Sequence, residues 1–442
     1  MLSVLDFDRF LMGFSLGVHI ILASIGIALP VIIILAEFLG IRKKDKIYTT
    51  LAKRLSLILI VLFAVGTASG TLVALELFLL WPKFMALVGQ VAILPVYIEV
   101  FAFFLEAIFL AIYMLSWDSF DNKYVHVFFG VLVGIGGAAS AILITMLNSF
   151  MNTPNGFNIS TYLSTGRIVG VNPLAIFSTP ATGIEVSHVL ATSYFAGAFI
   201  FCAYMAYRLL KCDPKYKEYY MKGLKITFSL VVIATFFSVV TGIISINSLA
   251  SIQPEKYAAL EANLFTRSNA SEIIGGILIN GTLRDYFSIP GLQSALLGSS
   301  NAVAPGLNEF PKSTWPPLIV HDTFDLMVFL GFGFGLFVLI VLVLQLIRKK
   351  PFEKRWILYL IVIAGGVAVL LLELGWMTAE VGRQPWIIYN VMLVSEAANY
   401  STSIIPIVIG LIVVYALILP ITAIMLKMLF RDRELSKELG IP

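Results

Sequence analysis

The chain has 442 residues, of which 59% are hydrophobic and only 13% charged, with a mean hydropathy of +0.94. A soluble domain is nearer half apolar and a quarter charged, so this composition excludes an ordinary soluble enzyme and points to a polytopic membrane protein. The formal net charge of +4 says little by its sign, because in such a protein the placement of the basic residues carries the information.

In chain order, apolar runs fall near 11–38, 52–80, 91–116, 125–149, 183–210, 225–249, 321–347, 356–379 and 403–427. Each is long enough to cross a bilayer, which predicts an all-α bundle of about nine transmembrane helices. The first run is too long for the core of a signal peptide and ends without a small-residue cleavage site. With the N-terminus outside, 22 of the 30 Lys and Arg residues fall on the inner side, from Arg42–Lys46 through Arg208–Lys225 and Arg348–Arg355 to the tail. That bias predicts N-terminus out and C-terminus in.

The runs divide the chain into helices one to six (1–249), a long polar outside stretch (250–320) and helices seven to nine (321–442). The 250–320 stretch is rich in Asn, Ser, Gly and Pro, contains a helix-like piece at Pro254–Phe265, and is long enough to be a functional cap. A second outside segment, 151–182, is rich in Asn, Pro, Gly and Thr. No nucleotide-binding glycine motif occurs and nothing points to nucleic acid. Trp81, Trp117 and Trp315, near the ends of the runs, read as interface anchors.

The chemistry rests on few residues. Cys202 and Cys212 would lie ~15 Å apart along one helix and cannot pair. Without a Cys-x-x-Cys-His motif, a metal centre must draw on His, Met or carboxylate ligands. His19 lies a third of the way into the first run, His188 early in the fifth, His126 at the start of the fourth and His321 at the start of the seventh. A membrane histidine can simply hydrogen-bond a neighbouring helix, and His126 and His321 read that way. His188 and Met327 approach the same outer face, and imidazole with thioether is a low-spin haem ligand pair.

Glu99 and Glu106 are seven residues apart, so they project from one helix face about 10 Å from each other; Glu373 and Glu380 repeat the spacing. Beyond Glu380 the run breaks at Gly382 and Pro385, with Arg383 between the breakers and Trp376 and Trp386 on either side. Ionisable residues in a membrane span cost several kcal/mol unless paired, solvated or bound, which makes these functional-site candidates. On the residues alone, such faces can ligate metal, carry protons or bond neighbouring helices.

Gly382-Arg383-Gln384-Pro385-Trp386, preceded by Trp376 and Glu380, resembles the signature of subunit I of cytochrome bd-type quinol oxidases. The segment Gln253-Pro254-Glu255-Lys256-Tyr257-Ala258-Ala259-Leu260-Glu261 is similar to that family's quinol-loop motif, in its short form. His19, the Ala-Phe-Phe-Leu-Glu run ending at Glu106, Asn148–Gly156 and Met327 follow in matching order, so the likeness spans essentially the whole chain.

The resemblance implies a haem b558 ligated by His188 and Met327. It implies two high-spin haems, b595 and d (or a b-type haem in place of d), one ligated by His19 and the other by Glu380, with the assignment between them open. Glu99 would be a second ligand or proton donor there, and Glu106 part of a proton path; Glu373 joins them as a candidate catalytic carboxylate. Lys256 and Glu261 would contact the quinol, and Arg383 and Trp386 would lie close to the haems. A homologous integral subunit II, a small single-helix subunit, oxygen as acceptor and the cell membrane of a prokaryote are implied too.

Three departures stand out. The family usually spaces its two carboxylates eight apart, so Glu99 is either displaced by one residue or restored by a local bulge. Asp325 stands where the family often has an arginine, two residues before Met327, and Leu75-Glu76-Leu77-Phe78 replaces the family's Glu-Phe-Gln-Phe-Gly.

Quinol oxidation releases two protons and two electrons, so the site needs a base near water, which Glu261 and Lys256 in an outside loop can supply. With protons for oxygen reduction drawn from inside along buried carboxylates, the reaction separates charge without a pump. Two other readings account for part of the pattern: a bd-like haem protein with a different donor or acceptor, and a proton-coupled transporter using His19, His188, Glu99 and Glu106. Haem content separates the transporter, and quinol-dependent oxygen uptake separates the two haem readings.

Overall fold

The computed structural model describes residues 4–279, 282–429 and 432–440. Among these, nine helices are long and apolar enough to cross a membrane. They are α1 (Val4–Lys43), α2 (Lys46–Leu80), α3 (Leu94–Leu115), α4 (Lys123–Asn152), α5 (Thr182–Lys211), α6 (Lys217–Ile252), α7 (Ile319–Leu346), α8 (Arg355–Val381) and α9 (Ile405–Leu429). In lipid every backbone N–H and C=O must be satisfied within the segment, so apolar runs of this length fold as helices. Arg431, counted with the basic tail, lies outside the described residues.

The helices overrun the apolar runs because local signals extend them. Asp45 caps α2 by accepting from Ile47 N at 3.0 Å, and Asn122 caps α4 by accepting from Tyr124 N at 3.1 Å. Arg42 and Lys43 close α1, and Arg208 and Lys211 close α5, complementing the negative ends of the helix dipoles. The 40 residues of α1 span ~60 Å, about twice the hydrocarbon thickness.

Two helices hold the bundle together. α1 packs against α2, α4 and α5, and α5 packs against α1, α4, α6 and α8. These contacts are close because small residues face each other. A Cβ at Gly197 would stand 2.4 Å from that of Ala28, and one at Gly365 only 2.3 Å from that of Ala203. Without a hydrophobic drive between helices in lipid, such backbone approach supplies the van der Waals contact that binds them. Facing outward, Phe101, Phe329 and Leu417 are more than half exposed, as lipid-facing side chains are.

Several boundaries differ from the pattern in the sequence. The third run starts not at 91 but at Leu94, because a separate helix, Pro82–Val91, precedes it and Pro95 opens α3. Trp81 is no interface anchor: it is 4% exposed and packs into a core with Leu80, Phe84 and Val88 where α2 ends. The helix expected over Pro254–Phe265 stops at Leu260, where Ala262 adopts a positive φ of 49° and the chain turns back, Asn263 N bonding Ala258 O at 2.8 Å. The 250–320 stretch also contains short strands that periodicity did not reveal. β1 (Arg267–Ser268) pairs with β6 (Val303–Ala304), β2 (Glu272–Ile274) with β5 (Phe287–Ile289), and β3 (Ile277–Ile279) with β4 (Thr282–Arg284). A fourth pair, β7 (Trp386–Ile388) and β8 (Met392–Leu393), follows α8.

Candidate functional site

The end of α8 gathers the densest polar network in the membrane region. Arg383 pairs with Glu380 one turn back, and Asn148 of α4 donates to Glu380 Oε1 at 2.6 Å. Arg383 is 3% exposed and also donates to Asn152 Oδ1 at 3.0 Å. Asn152 in turn donates to Glu185 Oε1 of α5 at 2.7 Å, and Ser149 donates to Glu185 Oε2 at 2.9 Å. Gln253 Nε2 donates to Asn152 O at 3.1 Å. Two carboxylates, one guanidinium and three amides thus lock α4, α5 and α8 to the start of the 250–320 segment.

Lys256 belongs to this network too. Its Nζ donates to Ala379 O at 2.8 Å, and its stem crosses Gly382 so closely that a Cβ there would stand 3.0 Å from Lys256 Cε. Burial pushes the Lys256 ammonium down to about 8; the carboxylates of Glu185 and Glu380 oppose that fall and Arg383 adds to it. The water-exposed lysine expected from the sequence is instead 5% exposed, because the short helix Pro254–Leu260 lays its stem against α8.

Glu261 does not share this cluster. It is 4% exposed and faces Glu272 of β2 and Asp325 of α7, so burial and two like charges raise its carboxyl well above the usual range. Lys256 and Glu261, five residues apart along the short helix and its end, face different partners. Asp325, at the position where an arginine was the familiar choice, accepts from Gly275 N and lies 3.5 Å from His321 Nε2, tying the loop to α7.

The four histidines fall into two classes by their hydrogen bonds. Ser69 Oγ donates to Gly66 O at 2.9 Å, so toward His19 Nδ1, 3.0 Å away, it can only accept. Thr241 Oγ1 likewise donates to Phe237 O at 2.7 Å and accepts from His188 Nδ1 at 2.9 Å. Both rings therefore carry hydrogen on Nδ1 and keep a lone pair on Nε2, the tautomer a metal ligand needs. His126 meets Glu37 Oε1 at 2.6 Å and Tyr113 O at 2.8 Å, and His321 meets Leu260 O at 2.6 Å and Gly275 O at 3.1 Å. Acceptors on both ring nitrogens leave these two no lone pair to offer.

His19, His188, Met327 and Glu373 each lie against a glycine of a neighbouring helix. A Cβ at Gly70 would stand 2.9 Å from His19, at Gly242 3.4 Å from His188, at Gly375 3.3 Å from Met327 Sδ and at Gly17 2.9 Å from Glu373. His188 on α5 and Met327 on α7 are carried by helices that both pack on α6 and α8. Along α3, Glu99 accepts from Ser140 at 2.5 Å and Glu106 is buried against Gly136 and Gly137, so both face α4. α3 is regular from Leu94 to Leu115: no bulge restores an eight-residue offset, and Glu99 stands one residue displaced.

A family model described as cytochrome bd terminal oxidase subunit I matches residues 7–434. The chain belongs to the cytochrome bd terminal oxidase subunit I family. It is 35% identical over 98% of both chains to a Bacillus subtilis (strain 168) protein provisionally named a cytochrome bd menaquinol oxidase subunit I. It is 26% identical, over 86% of its length and 83% of the relative's, to a cytochrome bd ubiquinol oxidase subunit 1 of the same organism. Its fold matches the bd oxidase structure from Geobacillus thermodenitrificans with a TM-score of 0.90, at 38% identity over 97% of this chain and 98% of the other. This bd-family chain is accordingly a multi-pass membrane subunit of a terminal oxidase, and its family implies haem cofactors, a quinol substrate and a membrane partner subunit.

The donors present suit haem iron. His19 and His188 offer Nε2 lone pairs with their tautomers fixed, Met327 offers a thioether, and buried polar atoms without partners at Glu373 Oε1, Glu76 Oε2 and Trp386 Nε1 are what an absent polar group leaves behind. Glu185, Asn152, Glu76 and Glu272 were missed in the sequence. Glu185 had a signal, standing one turn before His188 in an apolar run. Glu76 had one as well, a carboxylate inside the second apolar run; in the structure it is wholly buried and accepts from Ser15 at 2.7 Å.

Proposed function

We propose that this chain is the haem-bearing, quinol-oxidising subunit of a bd-type oxidase of a prokaryotic cell membrane, with its N-terminus outside and its C-terminus inside. Helices α1–α6 (1–249) and α7–α9 (321–442) hold the haems, and the 250–320 segment is the quinol-oxidising cap. His188 and Met327 would hold a low-spin haem b558. His19 and Glu380 would each hold one of two high-spin haems, b595 and d or a b-type haem in its place. When bound, the haems supply electron transfer and an open iron position for oxygen.

The chain's own residues do the rest. Lys256, as its ammonium, and Glu261 contact the quinol head group, and Glu261 receives its protons. Glu106 and Glu99, aligned on one face of α3 with Ser140 opposite, carry protons from the inner side. Arg383 and Asn148 hold the Glu380 carboxylate in place, each leaving an oxygen lone pair for a metal. Trp386 packs beside that network, and Glu373 supplies a further buried carboxylate facing α1. Subunit II and a small single-helix subunit are its partners, and the menaquinol relative makes a menaquinol the first donor to try.

The observation that carries this reading is the matched pair of histidines whose Nδ1 is tied to a serine or threonine that has no other hydrogen to give. A reduced-minus-oxidised spectrum of the purified complex, with and without carbon monoxide, tests it. The expected result is b-type bands together with a red-shifted chlorin band that moves with carbon monoxide. An intact complex with no haem absorbance would overturn the reading.

A further inference from the structure

Glu261 has Glu272, Asp325 and Gln293 as its neighbours. One residue on from Glu261, a cavity of about 290 Å³ opens between the loop and the first turn of α7, walled by Ala262, Leu264, Leu318 and Ile319 with His321 and Asp322 as its polar members. That is the small end of the range for ligand sites, and the mixture of apolar wall and few polar groups is typical of them. Asn263 Oδ1, on a side chain only 1% exposed beside this cluster, has no partner. Such an orphaned atom calls for a ligand or water.

We propose that Glu272 completes the quinol-oxidising site: Glu261 and Glu272 act as a carboxyl–carboxylate pair sharing one proton, held in place by His321, beside a cavity that takes the hydroquinone ring. The inference rests on the quinol reading above and deepens it. His321 ties the site together: its ring nitrogens face Leu260 O at 2.6 Å and Gly275 O at 3.1 Å, and Asp325 lies 3.5 Å from Nε2.

Oxidation of a hydroquinone to a quinone releases two electrons and two protons. The electrons pass to the oxidase's haem. A pair sharing one proton carries one negative charge, so it takes one proton at a time. The first must leave to water, by way of the exposed Asp322 at the cavity, before the second is accepted. Burial raises both Glu261 and Glu272, and the Glu272 and Asp325 charges raise Glu261 further. Asp325 also raises Glu272, while the hydrogen bond from Glu272 to Glu261 holds Glu272 lower, so of the two Glu261 is the stronger proton acceptor. Tyr257, His321, Asp322 and Asp325 are the other titratable groups around it.

The test is steady-state oxidation of a short-tailed hydroquinone by the complete purified oxidase, read as kcat/KM against pH. In Glu272→Gln the repulsion that raises Glu261 is gone. The acidic limb is expected to move to lower pH by about one unit and the neutral-pH rate to fall roughly two- to tenfold, with haem spectra unchanged. Glu272→Asp, which keeps the charge, restores the limb. Leu318→Trp fills the cavity without touching a charge and is expected to raise KM about tenfold with the limb in place. A Glu272→Gln oxidase with the wild-type pH profile, or a Leu318→Trp oxidase with unchanged KM, overturns the proposal. A wild-type oxidase that holds haem yet takes electrons from no hydroquinone overturns the quinol reading itself, and this one with it.

Discussion

Replacing Thr241 by Val tests how His188 is prepared for metal. The change keeps the side-chain shape on α6 and removes the acceptor that faces His188 Nδ1 at 2.9 Å. A buried N–H left without a partner costs about 1–3 kcal/mol. The ring can escape that cost by moving its hydrogen to Nε2, but this removes the lone pair offered to iron. At about 1.4 kcal/mol per decade, haem affinity is expected to fall about five- to 150-fold, which agrees with the roughly 10–100-fold typical of lost partners behind a metal ligand. The assay is haem retention under graded denaturant in the purified complex, following low-spin and high-spin absorbance separately. Ser69→Ala, which removes the acceptor 3.0 Å from His19, serves as the internal control and should weaken the high-spin signal instead. If Thr241→Val holds its low-spin haem as tightly as wild type, or if Ser69→Ala is the variant that loses it, the tautomer argument is refuted.

Three further outcomes follow from buried charges. Arg383→Gln leaves the Glu380 carboxylate with Asn148 alone; the loss of stability should be about 3–5 kcal/mol, seen as a lower thermal midpoint and reduced haem-to-protein ratio. Lys256 titrates near 8 in place of the usual value above 10, so a step that needs its ammonium should fail as pH rises through about 8. Lys256→Arg, which stays charged, should hold quinol turnover at higher pH; an unchanged alkaline limb would show that the ammonium is not used. His126→Leu should cost about 3–5 kcal/mol by stranding Glu37, yet leave the haem bands and turnover per haem unchanged. Haem loss in that variant would contradict the structural role its two occupied nitrogens imply.

The fold was largely legible because the bilayer reduces the problem to run length. Nine apolar runs became nine helices, and disagreements arose only where local chemistry intervenes: Pro82 and Pro95 split a helix from α3, and the positive φ of Ala262 ended another early. The strands of the 250–320 cap were not legible, since two- and three-residue strands are too short to show alternation. They matter nonetheless, for β2 carries Glu272 to Glu261 across a separation that no motif spans.

The histidines mark where sequence reasoning stops. All four lie in or at the ends of apolar runs, and neither spacing nor hydropathy separates the two with a lone pair from the two without. The distinction depends on a second hydrogen bond, that of the partner. Ser69 and Thr241 sit in helix interiors, where a hydroxyl can bond the carbonyl three or four residues back, at Gly66 and Phe237. That bond uses the hydroxyl's one hydrogen and leaves only lone pairs toward the imidazole. His126 and His321 meet a carboxylate and backbone carbonyls, which face both ring nitrogens. A serine or threonine in a helix facing a histidine of another span therefore fixes the tautomer that binds metal, whereas acceptors at both ring nitrogens occupy the ring within the protein. The pairing of Ser69 with His19 and Thr241 with His188 needs contacts 50 and 53 residues apart in the chain, which only the packed bundle supplies.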